Sequence, residues 1–510
     1  MKRITFLVLG VFLAITAQAQ NGDSPISYKS LGLQFSTQNA NGDASSAAVT
    51  SVSSYNGFGS FIDNPAVMAF AKSSDISLGW FYGNNDQTNT YLGSKSSENF
   101  RKTDFGNVGM LFKYPTSQGS LVFGAGYSLT SSAKNKAFLS GRNNTSTITD
   151  MFADPSSSYN GIAFDAYAID YGDLTETYYE SIFRIGFTPA QFPGITQYVD
   201  VNRDNRQGEF SFFGATEFQK NFFAGISIGV VSGTSNYSRK FQELDEFDNY
   251  DGDFIGADVN GNGGTDIDLI TLNDKIKSTV EGVNIRGGLA YKLGKLATFG
   301  ASATLPSKLN ITEKYSSAIK SDFDDGTATN TYDFYGEFDY AITKPGQYNI
   351  GATLFPFSKL SLSASAEYID YSKIKISLIE SDISDPIEKA DLIQSEQQIQ
   401  SEINRDYNSV TNLKFGAVYT LSNKAKLKAG YAIYPAKSKQ FNVEQNMVSA
   451  GLSIPLTDGI VFDISGQYSA WDDRSLLYSY SDPTSGNLMN SEVDQSFELL
   501  NVVAGIRISF

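Results

Sequence analysis

The last ten residues, NVVAGIRISF, alternate in polarity with a period of two and end on an aromatic residue. Apolar residues occupy one face of an extended chain, at Val502, Ala504, Ile506, Ile508 and Phe510. The opposite face carries Val503, Gly505, Arg507 and Ser509. A segment of this length and period is typical of a strand that crosses an outer membrane, with lipid on one side and a barrel lumen on the other. A soluble edge strand could also alternate, but it would rarely end on an aromatic residue without a polar tail.

The same alternation recurs along the chain, for example in VNIRGGLAYKL (283–293) and KLKAGYAIY (426–434). It predicts fourteen strands, near 74–86, 103–114, 120–135, 207–219, 222–240, 278–293, 298–312, 335–355, 359–378, 406–421, 425–434, 442–455, 460–472 and 497–510. Fourteen is even, as a single-chain bacterial barrel requires. We therefore predict an all-β fold, a membrane β-barrel of about 14 antiparallel strands over residues 74–510. Short turns would lie on the periplasmic side and long loops outside.

Two residue types are missing from the chain, which has 0 His and 0 Cys. The lack of His removes the usual general base and, with Cys, the usual zinc ligands. We therefore predict that the protein is not an enzyme and has no cofactor. Carboxylates could form a glycosidase pair, but no pattern in the sequence brings two of them together. The formal net charge of -16 leaves no basic footprint for nucleic acid.

The first 19 residues have the pattern of a secretory signal peptide. A basic start, MKR, precedes an apolar stretch and the small-residue motif Ala17-Gln18-Ala19. The apolar stretch is short for a membrane-spanning helix, and no Cys follows that could carry a lipid anchor. We expect cleavage after Ala19 and export to the outer membrane of a bacterium.

Residues 20–73 precede the first predicted strand and contain the stretch FIDNPAVMAF (61–70). Pro65 would interrupt regular structure, and the Asn64 side chain can bond its own backbone to hold a turn. If this segment were disordered, its apolar side chains would lie exposed in water; they are Phe58, Phe61, Val67, Met68 and Phe70. We therefore predict that residues 20–73 form a hatch, a plug folded inside the barrel lumen.

The combination of signal peptide, Asn64-Pro65-Ala66 and terminal Phe510 resembles the FadL-type outer-membrane transporters of long-chain fatty acids and aromatic hydrocarbons. In that family an N-terminal hatch with an Asn-Pro-Ala signature plugs a fourteen-stranded barrel. Further segments are similar, in the same order, from about residue 30 to the end of the chain. They are TLPSKLNITEKY (304–315), ITKPGQYNIGATL (342–354), SASAEYIDYS (363–372) and KAGYAIYP (428–435).

The resemblance implies passive uptake of a hydrophobic small molecule, with gating by the hatch and a sideways exit into the bilayer. The hatch and gating candidates are Asn64, Pro65, Ala66, Phe61, Met68 and Phe70. A gap in the wall needs strands that lose ladder bonds, and the candidates are Gly106, Gly109, Gly124 and Gly126. The ligand-binding candidates are Phe58, Arg286 and Arg507. Each Arg could instead pair with a structural carboxylate, and this alternative stays open.

The expected partners are the hydrophobic ligand, outer-membrane lipid or lipopolysaccharide, and the barrel assembly machinery, which would bind Phe510. We expect no nucleic-acid partner and a monomer. The alternative function is a structural or adhesive outer-membrane barrel that binds partners through long acidic loops. An apolar lumen in contact with the hatch would favour uptake, whereas a lumen packed with ion pairs would favour the structural role.

Two loops carry further predictions. Asp258, Asn260 and Asn262 have the oxygen spacing of a calcium loop, but Leu269 stands where that loop needs an acidic ligand. We therefore predict no metal site and keep this loop as the weak alternative, with Asp266 and Asp268 as substitute ligands. The segment 379–405 predicts a charged, solvated helix, capped by Asp385 ahead of Pro386. Its apolar stripe would be Ile387, Leu392, Ile399 and Ile403.

Overall fold

The computed structural model describes residues 27–173, 175–250, 265–378, 385–422, 424–439 and 443–510. The predicted signal peptide and the calcium-loop residues Asp258, Asn260 and Asn262 lie outside these ranges. Within them, no helix combines the length and the apolar character needed to cross a bilayer.

One antiparallel sheet dominates the described residues and is closed by pairing of its first strand with its last. Its segments are β1 (Asp75–Tyr91), β2 (Ser94–Tyr114), β3 (Leu121–Asn143), β6 (Ile195–Gln219), β7 (Phe222–Leu244), β8 (Ile267–Leu293), β9 (Ala297–Thr304), β10 (Ser307–Phe323), β11 (Tyr332–Lys344), β12 (Gln347–Phe357), β13 (Leu360–Asp370), β14 (Lys375–Ser377), β15 (Ser409–Thr420), β16 (Lys426–Tyr434), β17 (Gln445–Pro455), β18 (Ile460–Ser481) and β19 (Leu488–Ser509). Three barrel strands are each interrupted once, between β9 and β10, β11 and β12, and β13 and β14. Counting each pair as one strand gives a closed barrel of 14 strands, which confirms the predicted architecture.

The remaining elements are not part of the barrel sheet. They are the helices α1 (Tyr28–Ser36), α2 (Ser60–Asp63), α3 (Ile148–Phe152), α4 (Asn160–Asp165) and α5 (Pro386–Asp406), the hairpin β4 (Ile169–Tyr171) and β5 (Tyr179–Ser181), and the 3₁₀ turns Pro65–Phe70, Pro189–Gln191 and Tyr371–Lys373. Asp385 caps α5 as predicted, because its carboxylate accepts a hydrogen bond from the backbone N–H of Ile387 at 2.8 Å. Leu392, Ile399 and Ile403 of the predicted stripe are buried, whereas Ile387 is 74% exposed and does not belong to it.

The two rims of the barrel differ. We call terminal rim the end at which β1 begins and β19 ends, and loop rim the opposite end. Near the terminal rim, large apolar side chains point outward and are exposed, among them Phe212, Ile226, Leu289, Leu354 and Phe415. Tyr348, Tyr368, Tyr431 and Tyr468 follow along the upper border of this apolar belt. Such a belt edged by aromatic residues is what a bilayer requires of a barrel wall.

The strands extend further toward the loop rim than the sequence analysis predicts. Residues 87–102, predicted as a loop, continue β1 and β2 and turn at Leu92 and Gly93, whose φ angles are 48° and 82°. The longest loop spans 144–194 and not 136–206. The reason is physical: above the belt both faces of a strand can be polar, so the period-two signal disappears while the backbone ladder continues.

The loop rim is covered by an apolar cap. The loop between β3 and β6 folds α3, α4, β4 and β5 over the barrel mouth. Its Phe152, Ile169 and Phe183 are fully buried in one cluster with strand residues such as Phe241 and Leu272. Both this cap and the N-terminal segment, residues 27–73, pack against side chains of the wall.

Candidate functional site

The Asn64-Pro65 turn ties the N-terminal segment to the wall. The Asn64 Oδ1 accepts the backbone N–H of Ala66 at 2.9 Å, and Pro65 begins the 3₁₀ turn that follows. The Asn64 Nδ2 donates to the carbonyl of Val52 at 2.7 Å and to that of Leu289, on β8, at 3.1 Å. One fully buried amide therefore fixes its own turn, an earlier part of the segment and a barrel strand.

Glycines of the wall allow this close approach. A β-carbon at Gly288 would overlap the Asn64 side chain, and one at Gly225 would lie 2.5 Å from the carbonyl carbon of Pro65. Any larger residue at either position would push the turn away from β7 and β8. The backbone of the turn therefore lies directly on the barrel wall.

An apolar cluster surrounds the residues on either side of this turn. Phe58 and Phe61 are fully buried, and Phe61 stacks on Phe213 of β6 with ring centroids 5.1 Å apart. Ala66, Val67 and Met68 are also fully buried, against wall residues that include Leu111, Val122 and Phe223. Phe70 is only partly buried, and its ring meets Phe223 edge to face at 4.7 Å. We call this set the apolar half of the segment (58–70).

The preceding residues are held differently. Residues 44–53 are mostly Ala, Ser, Thr and Val, and polar side chains of the opposite wall bind their backbone and hydroxyl groups. Four wall side chains donate to backbone carbonyls: Ser465 to Ala44 at 2.7 Å, Lys428 to Ser45 at 2.6 Å, Gln467 to Ala47 at 2.6 Å, and Ser449 to Ala48 at 2.9 Å. Two hydroxyl pairs, Thr50 with Ser365 and Ser53 with Thr353, are each 2.7 Å apart. We call this stretch the polar half of the segment (44–53).

The ladder between β2 and β3 is incomplete. Their pairing runs from Tyr114–Leu121 only to Asn107–Ser128, although both strands continue beyond it. At the end of the ladder the N-terminal segment takes the place of β2. The backbone N–H groups of Ala40 and Gly42 donate to the carbonyls of Thr130 and Leu129, both at 3.2 Å. No further pairing between β2 and β3 is present within the described residues.

Beyond this point β3 stays paired with β6, as far as Asn143 and Ile195, but is no longer paired with β2. Lys102 of β2 binds Asp204 of β6 at 2.5 Å, although β3 separates these two strands lower in the sheet. The Asn85 side chain of β1 donates to that of Asn135 of β3 at 2.7 Å. Since β2 reaches β6 directly and β3 contacts β1, the loop-rim half of β3 is displaced toward the lumen.

The four glycines proposed for a lateral opening lie at and below this break. Gly106 is the extra residue of a bulge in β2, where the register with β1 shifts between Gly79 and Trp80. Gly109, Gly124 and Gly126 lie in the paired part of β2 and β3. A β-carbon at Gly109 would overlap the Phe58 ring, so this glycine makes room for the apolar half.

Both predicted ligand-binding arginines form ion pairs with wall carboxylates. Arg286 binds Glu209 through two nitrogens at 2.5 and 2.7 Å, and Asn284 donates to the same carboxylate at 2.6 Å. Arg507 lies 3.5 Å from Asp463. The structural alternative kept open for these residues is thus the arrangement present in the structure.

A cavity of about 1000 Å³ lies between the N-terminal segment, the C-terminal end of α5 and the wall. Its lining includes residues 38–41 of the N-terminal segment and residues 131–137 of the displaced part of β3. Trp471 and Phe497 stack at 5.1 Å on one side, and Arg203 lies over the Tyr237 ring at 5.3 Å on another. Phe58, Arg286 and Arg507 are not among the described residues that line it.

The sequence analysis missed Trp471, Phe497 and Arg203 as cavity residues. A signal was available, because the chain has only 2 Trp and Trp471 lies inside the predicted strand 460–472. Its odd number places it on the face opposite to Ile460, Phe462, Ile464 and Tyr468, that is, toward the lumen.

Near the loop rim, three carboxylates from two loops converge. Oxygens of Asp248, Asp266 and Asp324 lie within 4.8 Å of one another. Burial, with the nearby Asp266 carboxylate as the next cause, raises the pKa of Asp324 to about 6. Of the two substitute ligands named from the sequence, Asp266 belongs to this group and Asp268 does not.

No protein-family model matches the chain, and no curated protein matches it. Solved structures of similar shape do exist. The deltaS2S3 mutant of TodX, a monoaromatic hydrocarbon channel, is 12% identical over 93% of this chain and 100% of that chain, with a TM-score of 0.51. A FadL homologue from Pseudomonas aeruginosa is 12% identical over 92% of this chain and 98% of that chain, with a TM-score of 0.50. The fold is therefore similar to that of FadL-type barrels, as the sequence resemblance predicts.

Proposed function

We propose that this barrel takes up hydrophobic small molecules, long-chain fatty acids or aromatic hydrocarbons, passively across a bacterial outer membrane. The N-terminal segment acts as the plug, and the break between β2 and β3 is the sideways exit. The apolar belt supplies the membrane setting. A ligand that leaves sideways into the bilayer avoids exposing its apolar surface to water.

One observation carries the proposal: the cavity reaches the break in the wall. Residues 38–41 line the cavity, and the backbone of residues 39–42 bonds the edge of β3 at which the ladder ends. The same short stretch therefore separates a ligand-sized space, about 1000 Å³, from the opening in the sheet. Ligand pockets of proteins are typically about 300–1,000 Å³.

Movement of residues 38–42 is enough to connect the cavity with the opening in the sheet. It is attached to β3 by backbone hydrogen bonds, each with a net stability of roughly 1 kcal/mol because water replaces them readily. The apolar half has no such substitute, since exposing two phenylalanine rings costs roughly 3–6 kcal/mol. Residues 38–53 would therefore move while residues 58–70 stay on the wall.

The neighbouring folds support the same function. One of the two similar structures is described as a monoaromatic hydrocarbon channel and the other as a FadL homologue. Their low identity to this chain limits the comparison to the fold. Trp471 and Phe497 give the cavity an aromatic wall that suits an apolar ligand.

A reversible lock on residue 40 tests the proposal. Because the chain has 0 Cys, Ala40→Cys with Thr130→Cys introduces a single defined disulfide at a backbone contact of 3.2 Å. We expect the oxidised protein, reconstituted in liposomes, to lose uptake of an apolar fluorescent substrate. Reduction should restore uptake.

The matched control places the same bond inside the wall. Ala417→Cys with Ala429→Cys links two partners of the β15–β16 ladder and should leave uptake unchanged in both redox states. Full uptake by the oxidised Ala40–Thr130 pair would contradict the exit route. Lack of uptake in both redox states, and in the parent chain, would favour the structural or adhesive barrel. The ion pairs of Arg286 and Arg507 with wall carboxylates are an observation in favour of that alternative.

A further inference from the structure

Three lysines cluster on the outer surface of the barrel, between the apolar belt and the loop rim. Lys275 and Lys277 lie two residues apart on β8, and Lys314 is the direct cross-strand partner of Lys277 on β10. All three are exposed. They share the outward face of β8 with Val283 and Leu289 of the apolar belt, because odd-numbered residues of this strand point away from the lumen.

This arrangement is unfavourable for the protein alone. Like charges directly opposite each other on neighbouring strands repel, and the chain as a whole is acidic, with a net charge of -16. The charge of Lys314 is partly neutralised by an ion pair with Glu337 at 3.0 Å. Among the described residues, no carboxylate lies within 4 Å of the ammonium group of Lys275 or Lys277. The ammonium groups of Lys275 and Lys277 are therefore available to bind an anion from outside the chain.

The lysines border a groove with a volume of about 400 Å³. Its other outward-facing lining is polar and includes Asn236, Ser238 and Ser316. Asp204, the acidic residue at its edge, is already bound by Lys102 at 2.5 Å. Ammonium, hydroxyl and amide groups around one groove offer several donors to an anion that carries further hydroxyl groups.

The height of the groove indicates which anion can reach it. Lys277 lies six residues above Val283, the last exposed apolar residue of β8. At a rise of about 3.4 Å per residue, this is roughly 20 Å along the strand, and about 15 Å along the barrel axis at a tilt near 40°. In an outer membrane this level corresponds to the sugar headgroups of the outer leaflet, above the acyl chains.

We propose that Lys275, Lys277 and Lys314 form a binding site for the phosphorylated sugar headgroup of an outer-leaflet glycolipid, that is, of lipopolysaccharide. Lysine ammonium groups bind phosphate as point charges, and clustered basic residues at a membrane surface attract anionic lipid headgroups. The neighbouring Asn and Ser side chains would bind the sugar hydroxyls. The inference depends on the outer-membrane setting of the barrel and is independent of its transport activity.

The test measures binding of purified lipopolysaccharide to the intact barrel in detergent. We expect the triple variant Lys275→Gln, Lys277→Gln, Lys314→Gln to bind at least about tenfold more weakly at low salt, with the parent's affinity falling toward the variant's as salt rises. A matched control removes three exposed lysines of the same half of the barrel, Lys95→Gln, Lys375→Gln and Lys389→Gln. It should stay within about twofold of the parent.

Two additional probes identify the ligand's source. Chemically dephosphorylated lipopolysaccharide should bind parent and triple variant equally, because its phosphates are gone. Inorganic phosphate alone should compete only weakly, because it lacks the sugar and the acyl chains. Equal weakening in both triple variants, or unchanged binding of the dephosphorylated lipid to the parent, would overturn the proposal. Saturable, lysine-dependent binding of inorganic phosphate with the lipid's affinity would overturn the lipid assignment.

Discussion

The two halves of the N-terminal segment are attached to the same barrel by different physics. The apolar half (58–70) is held by burial of aromatic and aliphatic side chains against β2, β3, β6 and β7, with Phe61 stacked on Phe213. The polar half (44–53) has small side chains and is held by wall hydroxyl, amide and ammonium groups, such as Ser465, Gln467 and Lys428.

The difference determines which half can move. Water can replace a hydrogen bond at a net cost of roughly 1 kcal/mol, whereas it cannot replace the contacts of a buried phenylalanine. We therefore propose that the apolar half serves as an anchor and the polar half as the removable part. Asp63 and Asn64 belong to the apolar half and connect it to the polar half: Asp63 accepts the backbone N–H of Ser51, and Asn64 donates to the carbonyl of Val52. Asn64 also donates to the carbonyl of Leu289 in the wall.

The largest expected effect comes from breaking the anchor. Phe61→Ala should lower the stability of the attachment by about 3–5 kcal/mol, because it leaves a cavity beside Phe58 and Phe213. We expect residues 27–73 to become sensitive to protease while the barrel stays resistant. Phe212→Ala, on the lipid side of β6 and 62% exposed, is the control and should leave protease resistance unchanged. Equal protection in Phe61→Ala would contradict the anchor role.

Asn64 tests the junction. Asn64→Ala removes three hydrogen bonds and leaves the buried carbonyls of Val52 and Leu289 without this donor, at a cost of about 1–3 kcal/mol. Hydrogen exchange of both halves should accelerate. Combined with Pro65→Ala, the change should impair gated uptake while barrel assembly, followed by heat-modifiable gel migration, remains intact. Unaltered uptake and exchange would remove the junction from the gating proposal.

The polar half should respond more weakly. Ser449→Ala removes one hydrogen bond to the Ala48 carbonyl, which lies 2.9 Å from the hydroxyl, for about 0.5–1.5 kcal/mol. Exchange should accelerate in residues 44–53 only, and uptake should become faster because the removable part is released more often. Ser363→Ala, whose hydroxyl donates within the wall to Gly416, is the control. Acceleration in residues 58–70 as well would show that the two halves move together.

The smallest expected effect is a pH dependence. Burial raises the pKa of the Asp63 carboxyl, which accepts the backbone N–H of Ser51 at 2.9 Å. A raised pKa in the folded state means that the folded form binds the proton more tightly. The attachment is therefore strongest at low pH and weakens as pH rises from the ordinary carboxyl range through the raised value. Asp63→Asn should flatten this dependence, measured as exchange of residues 44–53 against pH; an unchanged slope would assign it to another group.

Much of the wall could be predicted from the sequence. The alternation of Val283, Ile285 and Leu289 with Asn284 and Arg286 is a local property of β8, so it identifies both the strand and its lipid side. The short turns follow from local chemistry as well. The same rule failed at residues 87–102, since a strand with two polar faces carries no period-two signal.

The cavity residues were less accessible to this reasoning. Residue type and alternation point to Phe58, Arg286 and Arg507, yet the cavity is lined by Trp471, Phe497 and Arg203 among others. Alternation shows that a side chain points inward. It does not show whether that side chain will meet a carboxylate, as Arg286 meets Glu209, or an open space.

The sequence by itself determined the barrel, its strand number and the outward face of the strands that alternate clearly, because polarity along an extended chain is set residue by residue. Only the tertiary structure decided where the wall is broken. Residues 130–135 of β3 are small or polar on both faces, so nothing local selects their partner. Ala40, ninety residues earlier in the chain, donates to the carbonyl of Thr130, and Gly42 donates to that of the neighbouring Leu129. A contact between such distant segments exists only once the barrel has closed around them.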